Sequence, residues 1–396
     1  MSRRAVPGLR PFAAATTAAM LMLVATPALA ANAISPESAN GARAAQAAVI
    51  HSMDLALVEE TVGFAATLDR LHALIVTHYG EPVVERVFRG PSLDRTVNVK
   101  SAAKTVISAL VGIAIEKGVL AGVNQPILPL LETRAPQELD PRVSAITLDH
   151  LLSMRAGLQR TSGGENYGPW VVSSNWVRYA LSRPFDDAPG GTMLYSTGNT
   201  HMLSAILTDK SGRSTLQLAR EWLGEPLDSE IPPWTRDPQG IYFGGNEMGL
   251  SPRFLLRFGE MYRNGGAYAG RQIVSPEWIR QSWRPRTIAR SGDLYGYGWF
   301  ITAAHGHPIY YAWGFGGQML YVVPTLGLTI VMTSDPTTRS AEDGHRNALH
   351  ALVKEGFVPA AMNRNLPLVE MPHLAPRFTD ELFEISASEE SESLGP

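Results

Sequence analysis

Ser101-Ala102-Ala103-Lys104 sets a hydroxyl and an amine three residues apart. On a helix such residues share a face, so the lysine can reach the serine oxygen. A serine needs a base to become a nucleophile, and a buried lysine can be that base. Desolvation disfavours the ammonium and draws its pKa down, by up to ~3–5 units at full burial. A helix N-terminus at Ser101 would also offer free N–H groups to a developing oxyanion. A second candidate is Gly190-Gly191-Thr192-Met193-Leu194-Tyr195-Ser196-Thr197-Gly198-Asn199, a glycine turn that delivers Tyr195 just ahead of a new helix. Tyr195 could serve as a phenolate or a proton relay, provided that cations hold its pKa down. The third is Tyr311-Ala312-Trp313-Gly314-Phe315-Gly316-Gly317-Gln318, a strand entering a glycine turn. Glycines there would let a substrate approach the backbone, and an edge N–H could complete an oxyanion hole. Leu194 stands where a G-x-S-x-G elbow needs its first glycine, so an α/β-hydrolase nucleophile has no anchor here.

These residues need a scaffold. Lys100 to Leu120 is apolar on nearly every side and closes with Lys117-Gly118, the pattern of a buried helix. A charged helix is expected around Asp54–Leu68. Leu74–Thr77 and Val83–Phe88 flank Tyr79-Gly80-Glu81 as a β-hairpin. Helices are expected at Leu148–Met154, Ser174–Ser182, Thr200–Thr208, Ser214–Trp222 and Pro252–Asn264. Strands return at Tyr310–Trp313, Met319–Val323 and Leu328–Thr333, before a helix from Ala341 to Glu355. Strands at both ends with helices between them predict an α+β fold. The N-terminal hairpin and C-terminal meander would share one antiparallel sheet, and a mostly helical lobe would be inserted. The α/β lobe is expected at about 47–121 and 291–357, and the helical lobe at about 122–290. His305-Gly306-His307 reads as a hairpin turn, with no acidic partner at metal-ligand spacing.

The chain has 396 residues and 45% apolar residues, ample to bury a core without disulfides. Thirty-four basic against 37 acidic residues give −3, no reason to expect a nucleic-acid partner. The absence of cysteine excludes thiol catalysis and Cys-ligated metal. Arg3, Arg4 and Arg10 precede an uncharged run from Phe12 to Leu29 that ends in Ala28-Leu29-Ala30. This reads as an export signal over residues 1–30, cut after Ala30, with a retained membrane helix as the weaker alternative. The mature chain, at −6, would be periplasmic or secreted, with no stable membrane anchor. Residues from Asp380 onward carry six acids and no base and read as a solvated tail.

Ser-x-x-Lys, then Tyr-Ser-Thr, then a glycine-rich C-terminal strand, in this order, resembles the serine β-lactamase-like superfamily. That superfamily spans penicillin-recognising enzymes, class C β-lactamases, esterases and 6-aminohexanoate-dimer hydrolases. Ile146–Leu158, Gly249–Arg253, Asn264-Gly265-Gly266, Gln272–Trp278 and Tyr297-Gly298-Trp299 are similar to further family landmarks. The resemblance runs from about Leu74 to Gly356. It implies a cleft in which Ser101 is acylated, Lys104 takes its proton and Tyr195 assists proton transfer. The N–H groups of Ser101 and Phe315 would hold the oxyanion, and His150 would be structural. Tyr167, Asn199, Trp313, Gly314 and Gly316 would line the substrate. No cofactor or metal is called for, and the partner would be a small amide, ester or lactam.

The departures are informative. Thr197 replaces the Asn of Tyr-x-Asn, and Ala312-Trp313-Gly314 replaces Lys-Thr-Gly or His-x-Gly. The missing cation weakens any grip on a β-lactam carboxylate. Both changes lean towards an amide or ester hydrolase of the aminohexanoate-dimer type. A β-lactamase or DD-peptidase remains the alternative among enzymes, and a catalytically silent ligand-binding relative the alternative outside them.

Overall fold

A computed structural model describes residues 52–337 and 344–362. The expected export signal and acidic tail lie outside the described residues.

Alternating apolar residues build the strands, and they dictate a sheet covered on both faces. In β1 (Leu71–His78), Ala73 and Ile75 point to one side while Leu74 and Val76 point to the other. The hairpin partner β2 (Glu81–Val87) follows a turn in which Tyr79 and Gly80 take positive φ. The short strands β3 (Val97–Asn98) and β4 (Gly249–Leu250) pair with each other, as do β5 (Ala267–Tyr268) and β6 (Arg271–Gln272). The large sheet resumes with β7 (Thr287–Ile288), β8 (Leu294–Tyr295), β9 (Phe300–Ala304) and β10 (His307–Gly314). It ends with β11 (Gln318–Val323) and β12 (Leu328–Ser334). Its order is β2-β1-β12-β11-β10-β9-β8-β7, with the recorded pairings antiparallel. The hairpin and the meander therefore join through β1 and β12, as the sequence predicts. His305-Gly306 is the β9–β10 turn, both residues at positive φ.

One face of the sheet packs on α1 (Leu55–Thr67) and the C-terminal helix α2 (His345–Ala351) with the turn that follows it. The other face packs on α3 (Ala103–Glu116) and α4 (Pro252–Arg263). Behind these lie α5 (Leu148–Leu152), α6 (Gly164–Val171), α7 (Trp176–Leu181) and α8 (Thr197–Ser211), with α9 (Thr215–Ala219) and α10 (Pro276–Trp283). The fold is α+β, an antiparallel sheet flanked by helices.

Boundaries shift from the sequence expectations for physical reasons. The helix expected from Lys100 opens as a 3₁₀ turn, Lys100–Ala102, and its α-helical part stops at Glu116, before Gly118 at φ +72°. The helix expected from Thr200 begins at Thr197, because its first N–H groups are capped from elsewhere. Thr197 N–H donates to Ser162 Oγ (2.7 Å) and Gly198 N–H to Thr161 Oγ1 (2.8 Å). Strands β7 to β9 and helices α6 and α10 were not anticipated.

Gly112 shows how closely α3 is packed. A Cβ there would lie 2.3 Å from the Trp278 ring of α10. Alanine in a helix is ordinarily worth up to ~1 kcal/mol over glycine. Here the clash should dominate, and Gly112→Ala should destabilise by about 1–3 kcal/mol. Urea denaturation checks this; a raised midpoint would show that α10 gives way freely.

Candidate active site

Among the described residues, Lys104 is the largest cationic side chain wholly buried, at 1% exposure. Burial alone draws its pKa from the usual lysine range down to about 7. Its Nζ is not left without partners. It donates to Ser101 Oγ (3.0 Å), Thr197 Oγ1 (3.1 Å) and the Gly245 carbonyl (2.7 Å), and sits 5.0 Å from the centre of the Tyr195 ring. A neutral amine keeps two hydrogens for Thr197 and Gly245 and turns its lone pair towards Ser101, the geometry of a base.

Each partner is positioned by a different element. Ser101 lies in the 3₁₀ turn Lys100–Ala102, directly ahead of the α-helical part of α3. Lys100, just before it, holds φ +51°, a left-handed conformation that costs a non-glycine residue of order 1 kcal/mol. That strain is held by two bonds: Lys100 N–H to Asn98 Oδ1 (3.0 Å) and Lys100 Nζ to Glu247 Oε1 (2.9 Å). Thr197 opens α8, and Ser162 Oγ lies 2.7 Å from its hydroxyl. Tyr195 is delivered by the loop before α8. That loop is clipped by Leu194 N–H to the Met154 carbonyl (2.9 Å) and Gly190 N–H to the Arg155 carbonyl (2.8 Å). The Ile146–Leu158 segment thus supports the tyrosine. His150 closes the capping box of α5 and packs beneath Gly190, a structural placement.

Tyr195 corrects one expectation. It is hydrogen-bonded with Ser101, but burial outweighs that bond and pushes the phenol above its ordinary value. A resting phenolate is therefore disfavoured. The phenol can still pass a proton between Ser101 and a leaving atom.

The end of β10 abuts the serine turn. At Gly314 a Cβ would lie 2.2 Å from the Val99 carbonyl, and at Gly316 one would lie 2.3 Å from the Asp335 carbonyl. The protein's own backbone, not only a substrate, thus demands these glycines. Phe315, 39% exposed at the hairpin tip, follows directly. Trp313 lines a cavity with Tyr195, Phe300 and Tyr311. Tyr167 is tied in at one remove: Asn246, next to Gly245, donates to its hydroxyl (2.8 Å), and burial raises its pKa to about 12. Asn199 is not brought to the cluster. It is 3% exposed within α8.

Sequence reasoning missed the loop that carries Gly245. Gly244 N–H donates to His201 Nδ1 (3.3 Å), while His201 Nε2 lies 3.0 Å from Asp237 Oδ2, both side chains fully buried. With Nδ1 accepting, the ring is a neutral tautomer whose Nε2–H donates to Asp237. The pair is 36 residues apart in sequence, and no local pattern marks it.

The profile of the family described as Beta-lactamase matches residues 64–355. This chain belongs to that family. A candidate 6-aminohexanoate-dimer hydrolase from Bacillus anthracis is similar at TM-score 0.60 and 21% identity, over 74% of this chain and 79% of that one. The octameric penicillin-binding protein homologue from Pyrococcus abyssi matches at 0.59 and 18%, over 76% and 77%. EstCE1, a hydrolase with promiscuous acyltransferase activity, matches at 0.62 and 16%, over 75% and 99%. At such identities these likenesses speak for the fold alone.

Removing His201 leaves Asp237 short of a donor inside the protein and releases the loop that holds the Gly245 carbonyl. His201→Leu should cost roughly 2–4 kcal/mol of stability. If the variant retains wild-type urea stability, the pair is not what fixes this loop.

Proposed function

We propose that this member of the beta-lactamase family is a serine hydrolase that cleaves a small amide or ester, of the 6-aminohexanoate-dimer-hydrolase and esterase type. The observation that carries the reading is the Lys104 amine, wholly buried, with its pKa near 7 and 3.0 Å from Ser101 Oγ. The family and its hydrolase fold support it.

Neutral Lys104 takes the Ser101 proton as Oγ bonds to the substrate carbonyl carbon. The oxyanion is held by the N–H groups of Ser101 and Phe315. The intermediate then collapses and the carbon–nitrogen or carbon–oxygen bond breaks. The leaving atom departs with a proton that Tyr195 passes on from the Lys104 ammonium. Water attacks the acyl-serine, its proton returns through the same groups, and the free acid leaves with Ser101 regenerated. Substrate and one water give an acid and an amine or alcohol.

An amidase or esterase is favoured over a penicillin-recognising enzyme by the strand beside the site. Ala312, where those enzymes carry a cation, is 2% exposed in the core, and Trp313 walls the cavity.

Three predictions test this. Intact-protein mass after exposure to a p-nitrophenyl acyl ester should show an acyl adduct, or turnover, in wild type and neither in Ser101→Ala. Adduct formation by a penicillin alone would favour the alternative, and reaction with neither would favour a silent binding protein. The pH profile follows from Lys104. Only the unprotonated amine is a base, so kcat/KM should be low in acid and rise through an inflection near pH 7. Tyr195→Phe should lower kcat by about 10²-fold or more; a flat pH profile or an unchanged kcat would remove the corresponding role.

A further inference from the structure

The carboxylate of Asp149 takes no part in the hydrolytic chemistry, yet its side chain is only 13% exposed and gathers donors from three segments. It stands in the first turn of α5. Its Oδ2 accepts from Arg155 Nη2 (2.7 Å), and its Oδ1 accepts from Arg286 Nη1 (3.2 Å) and from the Tyr297 hydroxyl. Arg286 lies just ahead of β7 and Tyr297 between β8 and β9, 137 and 148 residues away in sequence. Burial, and then the carboxylate itself, push the Tyr297 phenol well above its ordinary value, so it remains a donor.

Two arms of this network run to the catalytic groups. Arg155 grips the loop before α8 with side chain and backbone together. Its Nη1 donates to the Gly190 carbonyl (3.0 Å), while its own carbonyl accepts from Gly190 N–H (2.8 Å). Met154, beside it, accepts from Leu194 N–H (2.9 Å), one residue before Tyr195, and holds φ +63°. A left-handed methionine persists only where its surroundings impose it. Arg155 supplies part of that constraint, with Nε on Ser153 Oγ (3.0 Å) and Nη2 on Asp149. The second arm is shorter. Gly298 follows Tyr297, and its carbonyl accepts from Thr105 Oγ1 (2.8 Å), next to Lys104 on α3. A Cβ at Gly298 would lie 3.1 Å from the Lys104 carbonyl.

We infer that Asp149 is a positioning residue for Tyr195: through Arg155 it clamps the loop that carries the phenol, and through Tyr297 it ties that clamp to the turn of α3 that carries Lys104. The proton-passing role of Tyr195 rests on the proposed hydrolase reading, whereas the clamp does not. Asp149 touches no reacting atom. It keeps the phenol within reach of Ser101 and of the leaving atom, where a displacement of about 1 Å is enough to slow the reaction severely. A carboxylate suits the task because it is all acceptor and meets two guanidinium groups and a phenol at once. An asparagine would lose the charge and turn an NH₂ group towards donors.

Asp149→Asn is the test, with Arg155→Lys as the milder variant: it keeps a charge beside Asp149 but cannot span Asp149 and Gly190 together. Amide hydrogen exchange reads the clamp without a substrate. Exchange at Gly190 and Leu194 should quicken by about tenfold or more in both variants, relative to amides of β11 and β12. Turnover reads the consequence. A proton donor matters most when the leaving atom is basic, so kcat/KM should fall by about tenfold or more on an ethyl ester. The fall should be several-fold smaller on the p-nitrophenyl ester of the same acid, and either variant should add little further loss in Tyr195→Phe protein. Unchanged exchange at Gly190 and Leu194, or equal losses on the two esters, would overturn the inference while leaving the hydrolase reading intact. If wild type hydrolyses neither ester, or Tyr195→Phe matches wild type, it is the reading of Tyr195 that fails. Exchange then decides the clamp alone: quickened, it stands; unchanged, it falls.

Discussion

A single amine, placed where water cannot reach it, sets the terms for the rest of this structure. An ammonium in the interior is costly, and the protein lessens the cost by letting Lys104 approach neutrality rather than by pairing it with a carboxylate. A carboxylate partner would hold the lysine charged and remove its use as a base. The three oxygens around Nζ are a hydroxyl, a second hydroxyl and a carbonyl, all formally neutral. They satisfy the amine's donors without stabilising its charge strongly. That balance requires oxygens from three distant segments to converge on one atom, so the fold must be rigid where those segments meet.

The surrounding architecture supplies this rigidity. The helix carrying Lys104 is apolar all round and is gripped between the sheet and α10, so its register is fixed by packing. Thr197 is fixed because the first turn of α8 is capped by Thr161 and Ser162 instead of by its own preceding residue. Gly245 is fixed through the hydrogen bonds of the neutral His201 ring to Asp237 and to the Gly244 N–H. Ser101 is fixed by the left-handed Lys100, whose amine is anchored on Glu247 only two residues beyond Gly245. One loop thus positions both the nucleophile's neighbour and the base's acceptor. A movement of that loop would alter the serine and the lysine together.

These constraints explain what could be read from the sequence. Ser101 and Lys104 stood out because a polar pair inside an apolar helix violates the pattern around it, and the strands stood out because β-branched and aromatic residues repeat in short runs. Both signals are local. Strands of two residues such as β7 and β8 have no room for a period, so they escape notice. The Gly245 carbonyl is a backbone atom and carries no residue signature at all. His201 and Asp237 sit in unremarkable segments and acquire meaning only when the chain folds. Asn199, named through the family resemblance, lies buried within the first turn of α8, a helix that starts earlier than its sequence suggests.

The same reasoning bears on specificity. Motifs report the groups that make and break bonds, since those must sit at fixed spacing on one element or follow one another along the chain. Groups that select a substrate need only surround a volume, and the chain can supply them from anywhere. Arg290 follows Arg160 by 130 residues and Arg346 follows Arg290 by 56, yet all three line one cavity. A strand that lost its cation suggests, read alone, a site indifferent to charge. The arginines that line the assembled cavity escape such a reading, because they come from other segments of the chain.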